Sequence, residues 1–172
     1  MEKDSSMIAP PLPINESNRL EALRQLLLMD TPKEERFERI AEFARFEFDI
    51  STVLISMVDD ERVWFKSAIG TNLCQVNRDI SFCAHAILQP NIMVVEDALK
   101  DERFFDNPLV IGEPFVRFYA GAQLTLSSGQ TIGALCLMHN QPREMDETGL
   151  MIMSTLRDMV VLELTSMVER EI

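Results

Sequence analysis

Long hydrophobic runs are missing from this chain: none approaches the ~20 apolar residues of a membrane-spanning helix. Positive charge is scarce too. Sixteen Lys and Arg stand against 28 Asp and Glu, a formal net charge of −12, with a sequence pI of about 4.6. Phosphate backbones and anionic lipid headgroups repel so acidic a surface, which argues against nucleic acid and membrane as partners. The N-terminal stretch MEKDSSMIAPPLPINES lacks the basic and apolar regions of a secretory signal. Cysteine is limited to Cys74, Cys83 and Cys136, an odd number without C-x-x-C spacing. That excludes a disulfide framework and a structural zinc site, and a reducing cytoplasm is the simplest compartment. There is no Gly-rich phosphate loop, no G-x-S-x-G elbow and no H-E-x-x-H pair. The motifs therefore point away from a hydrolase or a nucleotide-transfer enzyme.

What is present is a globular composition. The chain has 172 residues, 47% of them apolar, enough for one domain with a core. Residues 1–16, with Pro10, Pro11 and Pro13, are expected to form an extended, mobile arm, and residues 17–172 a single domain. A helix is expected from about Asn18, with Leu20, Leu23, Leu26 and Leu27 at helical spacing. A second follows Thr31 as N-cap, with Pro32 at its first position. Ser51–Val58 and Arg62–Ile69 read as an antiparallel hairpin, and Leu73–Arg78 as loop. Ser81 caps a short helix, Ile92–Val95 is a short strand, and Val116–Leu126 pairs with Thr131–His139 across a turn. Gly121 marks a bulge or a close backbone approach. The longest helix runs from Asp146 to about Arg170. Leu150, Met153, Leu156, Val160, Leu164 and Met167 form its apolar stripe, flanked by Met151, Met159, Leu162 and Val168. Consecutive hairpins demand antiparallel pairing, so the fold class is α+β. A central antiparallel sheet of about five or six strands would carry the terminal helices on one face and a loop and short-helix pocket on the other.

That pocket is expected within Arg78–Gly121, RDISFCAHAILQPNIMVVEDALKDERFFDNPLVIGEPFVRFYAG. The stretch mixes hydrogen-bonding side chains with aromatic and aliphatic ones, the composition of a small-molecule site. Ser81, Cys83, His85, Asp97, Arg117 and Tyr119 are the expected polar contacts, and Phe82, Phe104 and Phe118 the apolar walls. His85 and Arg117 would donate to an anionic or carbonyl group. Cys83 and His85 are also compatible with a metal half-site or an activated thiolate, or with buried residues bonded to backbone. Asp97, Asp101 and Asp106 lack the spacing of a calcium loop and are read as bracing the loop with Arg103 and Arg117. Cys136, in mid-strand, reads as a small core residue. His139, at a strand end, reads as surface.

Several blocks, in order, resemble the GAF domain family. They are Asn15-Glu16 with Arg19-Leu20; Leu28-Met29-Asp30-Thr31-Pro32; Arg62 with Trp64-Phe65-Lys66-Ser67; and Ser81-Phe82-Cys83-Ala84-His85-Ala86-Ile87. They continue through Val94-Val95-Glu96-Asp97-Ala98, Asp106-Asn107-Pro108-Leu109-Val110, Arg117-Phe118-Tyr119-Ala120-Gly121-Ala122 and Gly133 with Leu135-Cys136. The chain looks most like the bacterial subgroup usually N-terminal in sensor histidine kinases and diguanylate cyclases. Two residues depart from that subgroup: Gln123 where it usually has proline, and His139 where it usually has aspartate. The resemblance implies a sensory or regulatory module, not an enzyme, that binds an unidentified small molecule or a partner protein and signals through its end helices. With the chain ending at Ile172, it implies a free-standing module, with no cofactor or metal assigned. A homodimer through the Leu20–Leu28 and Leu150–Val168 helices is expected. The alternatives are a structural homodimeric interaction protein, or a GAF-type free methionine sulfoxide reductase using Cys74 and Cys83, nine residues apart.

Overall fold

A computed structural model describes residues 7–169, with side chains described to residue 166. The first six residues of the expected arm, and the side chains of Met167 and Val168, lie outside the described residues. Five helices and six strands follow in the order α1 (Glu16–Gln25), α2 (Glu35–Phe48), β1 (Thr52–Val58), β2 (Arg62–Ile69), β3 (Gln75–Asn77), α3 (Phe82–Ala86), β4 (Met93–Val95), α4 (Pro108–Ile111), β5 (Phe118–Thr125), β6 (Thr131–His139) and α5 (Glu147–Glu169). The strands form one antiparallel sheet in the order β3-β2-β1-β6-β5-β4.

Strand alternation builds two cores. Val53, Ile55, Met57, Leu135 and Leu137 point to one face, where Phe37, Ile40 and Ala44 of α2 and Met153, Leu156, Val160 and Leu164 of α5 cover them. Leu54, Val58, Phe65, Ala134 and Cys136 point to the other, under Phe82, Ala86, Phe104 and Val110. Alternate side chains are consumed by opposite cores, so a strand such as β6 is apolar along nearly its whole length. Gly133 lets β6 approach β1: a Cβ there would lie 1.8 Å from the Ser56 carbonyl oxygen.

Three sequence expectations change. First, α2 begins at Glu35 rather than after Thr31, because the segment before it wraps a buried lysine. Lys66 is the extra residue where the β1–β2 register shifts, Ile55 facing Ser67 while Ser56 faces Phe65. Its side chain is fully buried and pairs with Glu34 at 2.7 Å. Its ammonium also donates to Thr31 Oγ1 at 2.8 Å and to the Pro32 carbonyl at 2.7 Å. A helix starting at Pro32 would dismantle that cage. Second, Gln75–Asn77 is a short edge strand on β2, not loop. Third, Gly121 sits in regular pairing with Cys136 and Met93. It makes room for a ring, since a Cβ there would lie 2.4 Å from Tyr119 Oη.

The sequence blocks separated along the chain meet here. Glu16 of α1 binds Arg19 and Arg78, and Arg62 of β2 binds Asp30. Both arginines on Glu16 are buried, and both also donate to strand-end carbonyls, Arg19 to Val58 and Arg78 to Asp59. These contacts fasten α1 and its following turn to the β1–β2 end of the sheet.

Candidate functional site

The expected site stretch folds as a series of self-capped turns. Ser81 Oγ accepts from the Ala84 amide, Asp97 from Leu99, Asp101 from Arg103 and Asn107 from Leu109. Asn107 also donates to the Ile80 carbonyl, tying α4 to the start of α3. Asx and Ser caps like these commit polar oxygens locally and lower their availability to a ligand.

The centre of the stretch is filled by its own rings. Phe82 stacks on Phe104 with centroids 4.0 Å apart, and His85 meets Phe104 edge-on at 4.9 Å. Tyr119 lies against Phe82. His85 Nε2 donates to the Ile8 carbonyl at 3.1 Å, so the N-terminal segment closes over α3. Burial holds the His85 pKa below its ordinary value, the Ile8 bond opposing that shift. Arg117 donates to the Val110 and Val116 carbonyls, and Asp97 lines a separate open depression with Lys100 and Arg143. Phe118 faces the opposite core, under the helices.

The enclosed space lies to one side of this cluster, at the end of the sheet where β1 begins and β6 ends. It is a cavity of about 80 Å³. Leu54, Phe65, Val76, Phe82, Leu109, Val116 and Met138 wall it, and Ser51, Ser81, Cys83, His139 and Asn140 supply polar atoms. Of the nine expected ligand contacts, Ser81, Phe82 and Cys83 line it. His139, expected at the surface, lines it as well. Its Nδ1 accepts from the Ser51 amide at 3.0 Å, leaving Nε2 as the protonated nitrogen of a neutral ring. Desolvation and the Arg143 charge hold its pKa down.

Behind the cavity wall lies a sulfur pair. Cys83 Sγ and Cys136 Sγ are 3.1 Å apart, and Tyr119 Oη is 3.1 Å from Cys136 Sγ. Ser56 Oγ lies 3.7 Å from the same sulfur. The hydrogen bond from Cys136 lowers the Cys83 pKa against the opposing effect of burial. Burial raises that of Cys136, and its bond to Cys83 adds to the rise. Cys74 is exposed, so the thiol facing Cys83 is Cys136, not the Cys74 of the reductase alternative. No cluster of metal-ligating side chains occurs among the described residues, and no described helix is long and apolar enough to cross a membrane.

The end helices divide their apolar residues. Leu20, Leu23, Leu26 and Leu28 are spent in the chain's own core, as are Met153, Leu156, Val160 and Leu164. Met151, Met159 and Leu162 remain exposed along α5. Gln123 connects the two faces of the sheet: its side-chain Nε2 donates to the Ala86 carbonyl of α3, and its backbone carbonyl accepts from Arg157 of α5.

The family model described as GAF domain matches residues 32–164, and the chain belongs to that family. A cyclic di-GMP phosphodiesterase of Pseudomonas aeruginosa is 43% identical over 137 residues, 80% of this chain. That match covers 23% of the relative, so the chain spans about a quarter of its length. Among solved structures, the GAF domain of an Acinetobacter phosphoenolpyruvate-protein phosphotransferase superposes with a TM-score of 0.60 at 15% identity, over 89% of this chain and 94% of that one. The free methionine-R-sulfoxide reductase of Neisseria meningitidis, solved with its substrate, gives 0.62 at 15% identity, over 96% and 100%. Those two likenesses are of fold. The phosphodiesterase corrects one expectation: the family resemblance implies a module that is not an enzyme, and a relative this similar is named as one.

Proposed function

We propose that this GAF domain is the sensory and regulatory part of a cyclic di-GMP phosphodiesterase activity. It reads a small molecule in the cavity at the sheet end and passes the cavity's state to α5. The observation that carries this reading is the 43% identity over 137 residues to the Pseudomonas aeruginosa phosphodiesterase. The cavity's size selects its occupant. About 80 Å³ is well below the ~300–1,000 Å³ of pockets that enclose drug-sized ligands, so a cyclic dinucleotide does not fit. A molecule of a few heavy atoms does, mostly apolar, with a group for Ser81, His139 or Asn140. The route out runs from α3 through Gln123 to Arg157, and leaves by the exposed Met151, Met159 and Leu162.

The test is a chimera in which this chain replaces the matched segment of that phosphodiesterase, with the chain alone assayed beside it. Leu73 lines the cavity and is 43% exposed, so Leu73→Trp fills the mouth with little effect on folding. The chimera is expected to hydrolyse cyclic di-GMP, with Leu73→Trp changing the rate at least about threefold, a coupling of ~0.6 kcal/mol. Equal rates with and without the substitution overturn the proposal.

A further inference from the structure

We infer that Cys83 and Cys136 form a hydroperoxide-responsive dithiol, Cys83 being the attacking sulfur and Cys136 the resolving one. The inference goes beyond the phosphodiesterase reading and does not rest on it. Its basis is the 3.1 Å separation of the two sulfurs and the position of the cavity, which Cys83 lines and Cys136 does not. A disulfide bond is about 2.05 Å long, so closure needs roughly 1 Å of approach between two side chains already in contact. The cavity of about 80 Å³ admits a molecule the size of hydrogen peroxide, since a water takes ~30 Å³ of liquid volume.

Polar groups around the pair suit the two roles. The Tyr119 hydroxyl is 3.1 Å from Cys136 Sγ and the Ser56 hydroxyl 3.7 Å, and Ser56 donates to the Ala134 carbonyl. Cys136 is wholly buried, with Tyr119 beside it and β1 alongside, so oxidant arriving by the cavity meets Cys83 first. The charge balance within the pair runs the same way: hydrogen bonding by Cys136 favours the Cys83 thiolate, and burial keeps Cys136 protonated.

In the first step the Cys83 thiolate attacks one oxygen of the hydroperoxide. The O–O bond breaks, the other oxygen leaves as alkoxide or hydroxide and takes a proton, and Cys83 becomes a sulfenic acid. In the second, the Cys136 sulfur attacks Cys83 sulfur. The S–O bond breaks, and the departing hydroxide takes the Cys136 thiol proton as water. Two thiols and one hydroperoxide thus yield one disulfide, one alcohol or water, and one water, with two electrons passing to the peroxide. A soluble dithiol reverses the change by exchange. The new bond would staple α3 to the middle of β6.

Trypsin places the three cysteines in separate peptides, 67–78, 79–100 and 118–143. The whole chain is treated with stoichiometric hydrogen peroxide, alkylated after denaturation and mapped by mass. The expected result is a cross-linked 79–100/118–143 pair, loss of two of the three free thiols and a loss of two hydrogens in intact mass. Cys74→Ser keeps this result, Cys83→Ser abolishes it, and Cys136→Ser leaves a sulfenic acid on Cys83 that dimedone traps. Leu73→Trp slows the reaction by closing the approach. The map of the unsubstituted chain stands even if a cysteine variant fails to fold. The inference is overturned if 79–100 and 118–143 both stay alkylatable while glutathione in the same tube is oxidised. It is equally overturned if the only cross-links run through Cys74.

Discussion

Replacing Glu16 by Gln removes a charge while keeping the side chain's shape. In the native chain this carboxylate accepts from Arg19 Nε at 2.9 Å and Nη2 at 3.0 Å, and from both terminal nitrogens of Arg78. Burial pushes the Glu16 pKa up, but the two guanidinium groups outweigh it and bring it from the ordinary 4.5 to about 2. Taken whole, that difference is worth ~3 kcal/mol. The side chain keeps 15% of its surface exposed, and solvent screening reduces the figure to about 2 kcal/mol. Glu16→Gln also leaves two buried arginines without a counter-charge, so the expected loss near neutral pH is about 2–3 kcal/mol. In a domain of this size that lowers Tm by roughly 4–12 °C. The pH dependence has a definite sign. The native carboxyl is more acidic than the unfolded one, so its contribution is complete above 4.5 and fades as pH falls toward about 2. Urea unfolding of both proteins from neutral pH down to about pH 3 should show the two midpoints converging. A gap below ~0.5 kcal/mol at neutral pH, or one that stays constant on acidification, would refute the network's role.

Three further substitutions test how the sheet and α2 are held. Lys66→Met strands the Thr31, Pro32 and Glu34 oxygens that the ammonium gathers; urea unfolding should show a loss of about 2–4 kcal/mol, and a loss under ~1 kcal/mol would count against the cage. Gly133→Ala places a methyl 1.8 Å from the Ser56 carbonyl oxygen and should cost more than ~2 kcal/mol. Gly129→Ala has open space around it and only its φ of 89° to oppose it, so it should cost about 1 kcal/mol. The reverse ranking of those two midpoints would show that β6 and β1 are not in close approach.

The elements easiest to foresee were those whose pattern is local. Residues 62–69 and 131–139 fold as strands with the expected limits, and Ser81 caps the helix it precedes. The start of α2 was not legible, because Thr31-Pro32 is a sound helix-start signal. It is overruled by an ammonium 34 to 35 residues downstream. The three residues of β3 alternate polar, apolar, polar, but three are too few for that period to announce a strand. The site was harder. Asp97, Arg117 and Tyr119 looked convergent because they are close in sequence and polar. Asp97 caps its own turn, Arg117 braces backbone carbonyls, and Tyr119 turns inward to Cys136. The cavity gathers Ser51, Leu73, Met138 and His139 from segments far apart in the chain, joined only by strand order. The Cys83–Cys136 contact likewise needs α3 to cross β6, which no spacing in the sequence announces.

In the proposed function the cavity at the sheet end and α5, on opposite faces, share one state through Gln123. Amide hydrogen exchange of the whole chain, with and without Leu73→Trp, addresses this most directly. Altered protection is expected in α3 and in α5 around Arg157, with loss of the α5 response when Gln123→Ala is added. Changes confined to residues 70–77 and the cavity walls, with α5 unaltered, would contradict it.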